Sequence, residues 1–156
     1  MIRTLAVLVV ITGCHVPDMV TRDGVPVTLR GGTLTRARTI ARYLEAVHEA
    51  FAQRGYTVPV CRVTIKPPGS LWVFMDEGDA RLGGRHVWYP WPFRDTIEAE
   101  WIPGLGSPSY VHEALHALGE YGHPSAPNRS IWASPALRQL QAEVADAARW
   151  KVYPPP

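Results

Sequence analysis

Between residues 112 and 123 the chain reads H-E-A-L-H-A-L-G-E-Y-G-H. His112 and His116 are four apart, which places them on one face of a helix. Ala114, Leu115, Ala117 and Leu118 favour that helix, with no proline or β-branched residue among them to oppose it. Two imidazoles so placed can share one Zn2+. Glu113 beside them puts a carboxylate where it can take a proton from a water. A fold that uses this stretch must hold the helix, bring up a third ligand and leave an opening.

Composition permits such a fold. The 156 residues suffice for one domain with a core. A hydrophobic share of 46% and a charged share of 19% exclude a disordered chain. With a net charge of +2 and no long run of Lys or Arg, nucleic acid is not an implied partner.

The N-terminus reads as an address. Arg3 precedes an apolar run over residues 5–11, which is too short to span a bilayer but suits an export signal. The run ends in Ile11-Thr12-Gly13-Cys14. This resembles the lipobox of bacterial lipoproteins. The resemblance implies that residues 1–13 are removed, that Cys14 carries lipid, and that the chain sits in the bacterial envelope, facing outside the cytoplasm. Cys61 is then left unpaired, and its place in the alternation of Val58, Val60, Val63 and Ile65 suits a small core residue. Residues 14–33 contain Pro17, Gly24, Pro26, Gly31 and Gly32, and are expected to form a tether with a short strand at 25–29.

The folded domain is expected over residues 34–153, followed by a proline tail at 154–156. Residues 35–55 form the first helix, capped by Thr35 and stopped by Gly55, with an apolar stripe of Ile40, Leu44, Val47 and Phe51. His48 lies near that stripe and is expected to be an ordinary helix histidine. Strands are expected at 58–66, 71–75, 85–89 and 96–102. The acidic stretch 76–79 lacks the spacing of a calcium loop and reads as a solvated turn. Ser107 or Ser109 with Pro108 opens the motif helix. A last helix starts at Ser134-Pro135 and buries Leu137, Leu140, Val144 and Ala148. The fold class is therefore α+β: a helix, a mixed sheet of three or four strands, the motif helix and a final helix.

The motif resembles that of the zincin metallopeptidases. Gly119 and the nearby His123 make it similar to the metzincin branch, whose motif reads H-E-x-x-H-x-x-G-x-x-H. The resemblance implies that His112 and His116 are zinc ligands and Glu113 the general base. The chain departs from that branch in two respects. Gly122 occupies the place of the third ligand, with His123 one residue later, and no methionine follows Met75. On an unbroken helix His123 would lie about 10 Å beyond His116, so the chain must turn back for it to reach a shared metal, as Gly119 or Gly122 allows. The rival third ligand is Glu143 on the last helix, the arrangement of the gluzincin branch. His123 is favoured, for its softness and its nearness in sequence. Glu120 is better suited to orienting a ligand than to binding metal. Tyr121, Tyr110 and His86 are available to stabilise an oxyanion.

The expected function is a lipid-anchored zinc peptidase, with one Zn2+ per chain and a peptide or protein substrate. The strand at 85–89 could be an edge that pairs with an extended peptide. The alternatives are a non-catalytic envelope lipoprotein whose metal only braces the fold, and a metal-free binding protein.

Overall fold

The computed structural model describes residues 17–71, 84–87, 94–118 and 134–155. It is an α+β domain with one five-stranded mixed sheet. The strands are β1 (Met19–Val20), β2 (Pro26–Leu29), β3 (Arg62–Lys66), β4 (Gly84–Val87) and β5 (Thr96–Glu100), in the spatial order β1-β2-β3-β5-β4. The helices are α1 (Ala37–Ala52), α2 (Pro108–Ala117) and α3 (Pro135–Val152). None of the described helices is long and apolar enough to cross a membrane.

Alternation along the strands decides how the layers stack. Parallel pairing aligns Val27, Val63 and Ile97 in one row and Leu29, Ile65 and Ala99 in the next. All six are buried, on one face of the sheet. Ile40, Leu44, Val47 and Phe51 of α1 join the same core, with Val111, Ala114 and Leu115 of α2 and Leu140, Val144 and Ala148 of α3. Each such side chain contributes about 1.5–3 kcal/mol on burial, so the helices belong on that face. The intervening residues Thr28, Thr64 and Glu98 stay on the polar face, where Lys66 and Arg85 pair with Glu98 at 3.2 and 3.0 Å.

Three expectations change. The sheet has five strands rather than three or four, because the expected tether is folded from β1 onward, with β2 at the short strand expected over 25–29. Val25 and Val27 are fully buried, and β2 pairs with β3 rather than hanging free. Next, β3 begins at Arg62 rather than at residue 58. Its ladder with β5 starts at Arg62↔Thr96, and Pro59 has no N–H to extend it. Finally, Thr35 does not cap α1. It lies inside a 3-10 turn (Thr33–Arg36), where its hydroxyl donates to the Gly32 carbonyl at 3.0 Å. Gly55 does stop the helical segment, with φ of 83°. Of the expected strand at 71–75, only Leu71 is described, and the acidic stretch 76–79 lies outside the described residues.

The approach to α2 is tightly defined. Gly106 closes a turn on Ile102 and has φ of 83°. A Cβ there would lie 2.2 Å from the Tyr43 ring, so only glycine lets the chain pass. Tyr43 meets Trp101 edge-on, with ring centroids 5.5 Å apart.

Candidate metal centre

Local chemistry starts α2 where the sequence reading puts it. The Ser107 hydroxyl accepts from the Tyr110 N–H at 3.3 Å, and Pro108 occupies the first turn. The Ser109 hydroxyl accepts from the Glu100 N–H at 3.2 Å and so fastens the helix to β5. One turn apart, His112 and His116 bring their Nε2 atoms to 3.2 Å, with ring planes at 77°. Two nitrogens on a tetrahedral zinc, each about 2.0–2.1 Å from it, are themselves about 3.3 Å apart. The two imidazoles therefore fit one zinc ion.

The tautomer of His112 also fits. Its Nδ1 lies 3.2 Å from the Oε1 of Gln141 on α3. An amide oxygen only accepts, so Nδ1–H is the donor and Nε2 keeps its lone pair. A ligating histidine commonly donates its other N–H in this way, which fixes the ring and raises its basicity.

Glu113 is buried to 4% exposure and points towards β4. Its carboxyl accepts from the backbone N–H of His86. Burial pushes this carboxyl up to about 7, and the His86 hydrogen bond offsets only part of that rise. Gly84 makes the packing possible. A Cβ at Gly84 would lie 2.8 Å from both Cγ and Oε1 of Glu113. Among the described residues β4 is the end strand of the sheet, antiparallel to β5.

A second polar chain braces α2 from beneath. The Nδ1 of His48 on α1 pairs with Asp23 at 2.6 Å, and its Nε2 lies 2.7 Å from the hydroxyl of Tyr110. Tyr110 is 1% exposed and held by His48, so it is not placed to serve as an oxyanion donor. His48 thus ties three segments together, a role that its position beside the α1 stripe did not reveal.

The remaining candidates separate. Glu143 is exposed and turned towards the turn after α1, where its carboxyl meets Arg54 Nε at 3.3 Å. Gln139 and Arg54 hold that carboxyl below its usual range. Two residues are about 200° of helix rotation, so Gln141 faces His112 while Glu143 faces elsewhere. The rival third ligand is thereby set aside. Among the described residues no third His, Cys, Asp or Glu joins the pair. His123, the favoured third ligand, lies outside the described residues, as do Cys14, Glu120 and Tyr121. The ring of His86 bonds Asp95 at 3.0 Å. Cys61 is buried and free, its thiol pushed up to about 12 by burial and by Asp95. Gln141 and Gly84 are the functional positions that sequence reasoning missed. A polar residue beside Leu140 and Val144 was the available signal for the first.

No family model matches the chain, and no curated protein or solved structure matches it either.

Two outcomes follow from this geometry. The carboxyl of Glu113 sits at about 7 in the fold against 4.5 unfolded. The fold therefore favours its protonated form. Stability is fully present below pH 4.5 and is lost as the pH rises towards 7, at a cost of about 3 kcal/mol above it. In chelator-treated protein, Glu113→Gln should raise Tm by about 5–10 °C at pH 8 and hardly at all at pH 4. An equal shift at both pH values would contradict the burial argument. Gln141→Ala should weaken zinc binding about 10–100-fold in competition with a chromophoric chelator. Gln141→Glu, which keeps an acceptor, should recover most of that loss. Unchanged affinity in Gln141→Ala would exclude the orienting role.

Proposed function

We propose that the chain is a zinc-dependent hydrolase that cleaves peptide bonds, held to a membrane of the bacterial envelope by lipid on Cys14. The observation that carries this reading is the 3.2 Å convergence of the His112 and His116 Nε2 atoms beside a buried Glu113. His112, His116 and His123 are the proposed ligands of one zinc ion. The α+β order of the chain accords with its resemblance to the zincins.

When bound, zinc supplies Lewis acidity towards water and towards a carbonyl oxygen. The protein's own part is proton transfer and positioning. Glu113, buried beside the two imidazoles, is placed to accept a proton from water and pass it to a leaving amine. The His86 N–H and the close face of Gly84 hold that carboxylate in place. Gln141 keeps the His112 lone pair on Nε2. The hydrogen bond that Ser109 accepts from β5 and the Asp23–His48–Tyr110 chain keep α2 from shifting.

A peptide substrate is proposed because β4, which packs on Glu113 at Gly84, is the end strand of the sheet among the described residues. An end strand offers backbone groups to an extended chain. Such recognition uses the main chain and selects for polypeptides over small esters.

Glu113→Gln should retain zinc at one ion per chain while hydrolysis of an unstructured protein substrate falls by about 10²–10⁴-fold. Zinc content by mass spectrometry and peptide release by chromatography check the two parts separately. Unchanged turnover in Glu113→Gln would remove the proposed base.

A further inference from the structure

The positive charge of the chain is unevenly placed. Residues 30–42 read R-G-G-T-L-T-R-A-R-T-I-A-R, with four arginines and no acidic residue. The other segments together carry 12 basic against 14 acidic residues, so this tract accounts for the whole net positive charge. Arg36, Arg38 and Arg42 are exposed, and among the described residues none of their guanidinium groups has an ion-pair partner. The acids one turn further along α1 are already engaged. Glu45 accepts from the Arg22 N–H, and Glu49 pairs with Lys151 at 2.7 Å.

Helix stability does not account for these arginines. Arg36 is the N-cap of α1 and Arg38 lies in its first turn, with no acidic residue there and no side-chain cap. Cations at a helix N-terminus oppose its dipole. A local rule broken without a local compensation points to a functional demand. At the centre of the tract Leu34 is 63% exposed, the largest exposure of a large apolar side chain among the described residues. A bare leucine within a run of exposed arginines suits a surface that is anionic outside and apolar beneath.

The path of the chain places that surface. Asp18 accepts from the Leu29 N–H at 2.6 Å, so the chain enters the fold beside Leu29, directly before the tract. The sequence leading to that point carries the apolar run at residues 5–11 and Cys14. A chain tethered there has this tract nearest its anchor.

We propose that Leu34, Arg36, Arg38 and Arg42 form a docking face for anionic phospholipid headgroups. The tract leaves β2 at Leu29, which shares a row of the sheet with Gly84, and Glu113 packs on Gly84 three strand positions away, so the face lies about 14 Å to one side of the candidate metal centre at 4.7–4.9 Å per strand. The proposal rests on the membrane-anchored part of the reading above and is independent of the chemistry at the metal centre.

The test is partition of the full-length chain onto vesicles of phosphatidylcholine, alone or with about 30% phosphatidylglycerol. Wild type should bind the anionic vesicles at least about tenfold more tightly, and about 0.5 M salt should remove that gain. The triple variant Arg36→Ala/Arg38→Ala/Arg42→Ala should lose most of that gain on anionic vesicles and nothing on neutral ones. Its zinc content and hydrolysis of a soluble peptide should match wild type, and Glu113→Gln should bind vesicles as wild type does. These exposed substitutions relieve cations at a helix start, so the variant keeps its fold. A triple variant that retains the anionic gain would overturn the proposal. So would a gain that single-stranded DNA abolishes at matched phosphate concentration, which would assign the tract to soluble polyanions.

Discussion

The burial of one carboxylate organises the site. Glu113 lies between α2 and β4 because Gly84 has no side chain to keep it out. An ionised carboxylate in that position lacks most of its hydration, and the single His86 N–H replaces only part of it. The result is a group poised near neutrality inside an otherwise apolar layer. Its neighbours on the helix are two imidazoles aimed at one point. A cation at that point would favour the ionised carboxylate, so metal and base would support each other. Without a cation the same burial is a cost to the fold.

The rest of the architecture resists that cost by holding α2 on several sides. Ser107 caps the helix, and Ser109 ties it to β5. His48 reaches from α1 to the buried hydroxyl of Tyr110, and Gln141 reaches from α3 to the ring of His112. These contacts come from residues 62 and 29 positions away along the chain. They fix rotation of the helix about its own axis, which apolar packing alone specifies weakly. Two imidazoles can converge only if that rotation is set.

What the sequence made legible was local. Both Ser-Pro helix starts, at residues 107–108 and 134–135, rest on caps within one turn, Ser107 being one of the two caps that the sequence offers for α2 and Ser134 the cap of α3. Alternation in Val63 and Ile65 marked β3, and the apolar stripe marked α1. What escaped was long-range. Gly24 and Pro26 suggested a tether, yet β2 is held by parallel pairing to β3 across the whole of α1. Glu143 was the rival for the third ligand because it is acidic, but helix rotation gives the inward place to Gln141. Gly84 carried no signal at all, since its role is to make room for a residue 29 positions later.

The central claim is that His112 and His116 bind one metal ion together. X-ray absorption at the zinc edge, on protein loaded with one equivalent, tests it most directly. The account predicts nitrogen and oxygen neighbours at about 2.0–2.1 Å with the outer-shell scattering of imidazole, and a weaker imidazole signal in His116→Ala. A spectrum without imidazole scattering, or one unchanged by His116→Ala, would contradict it.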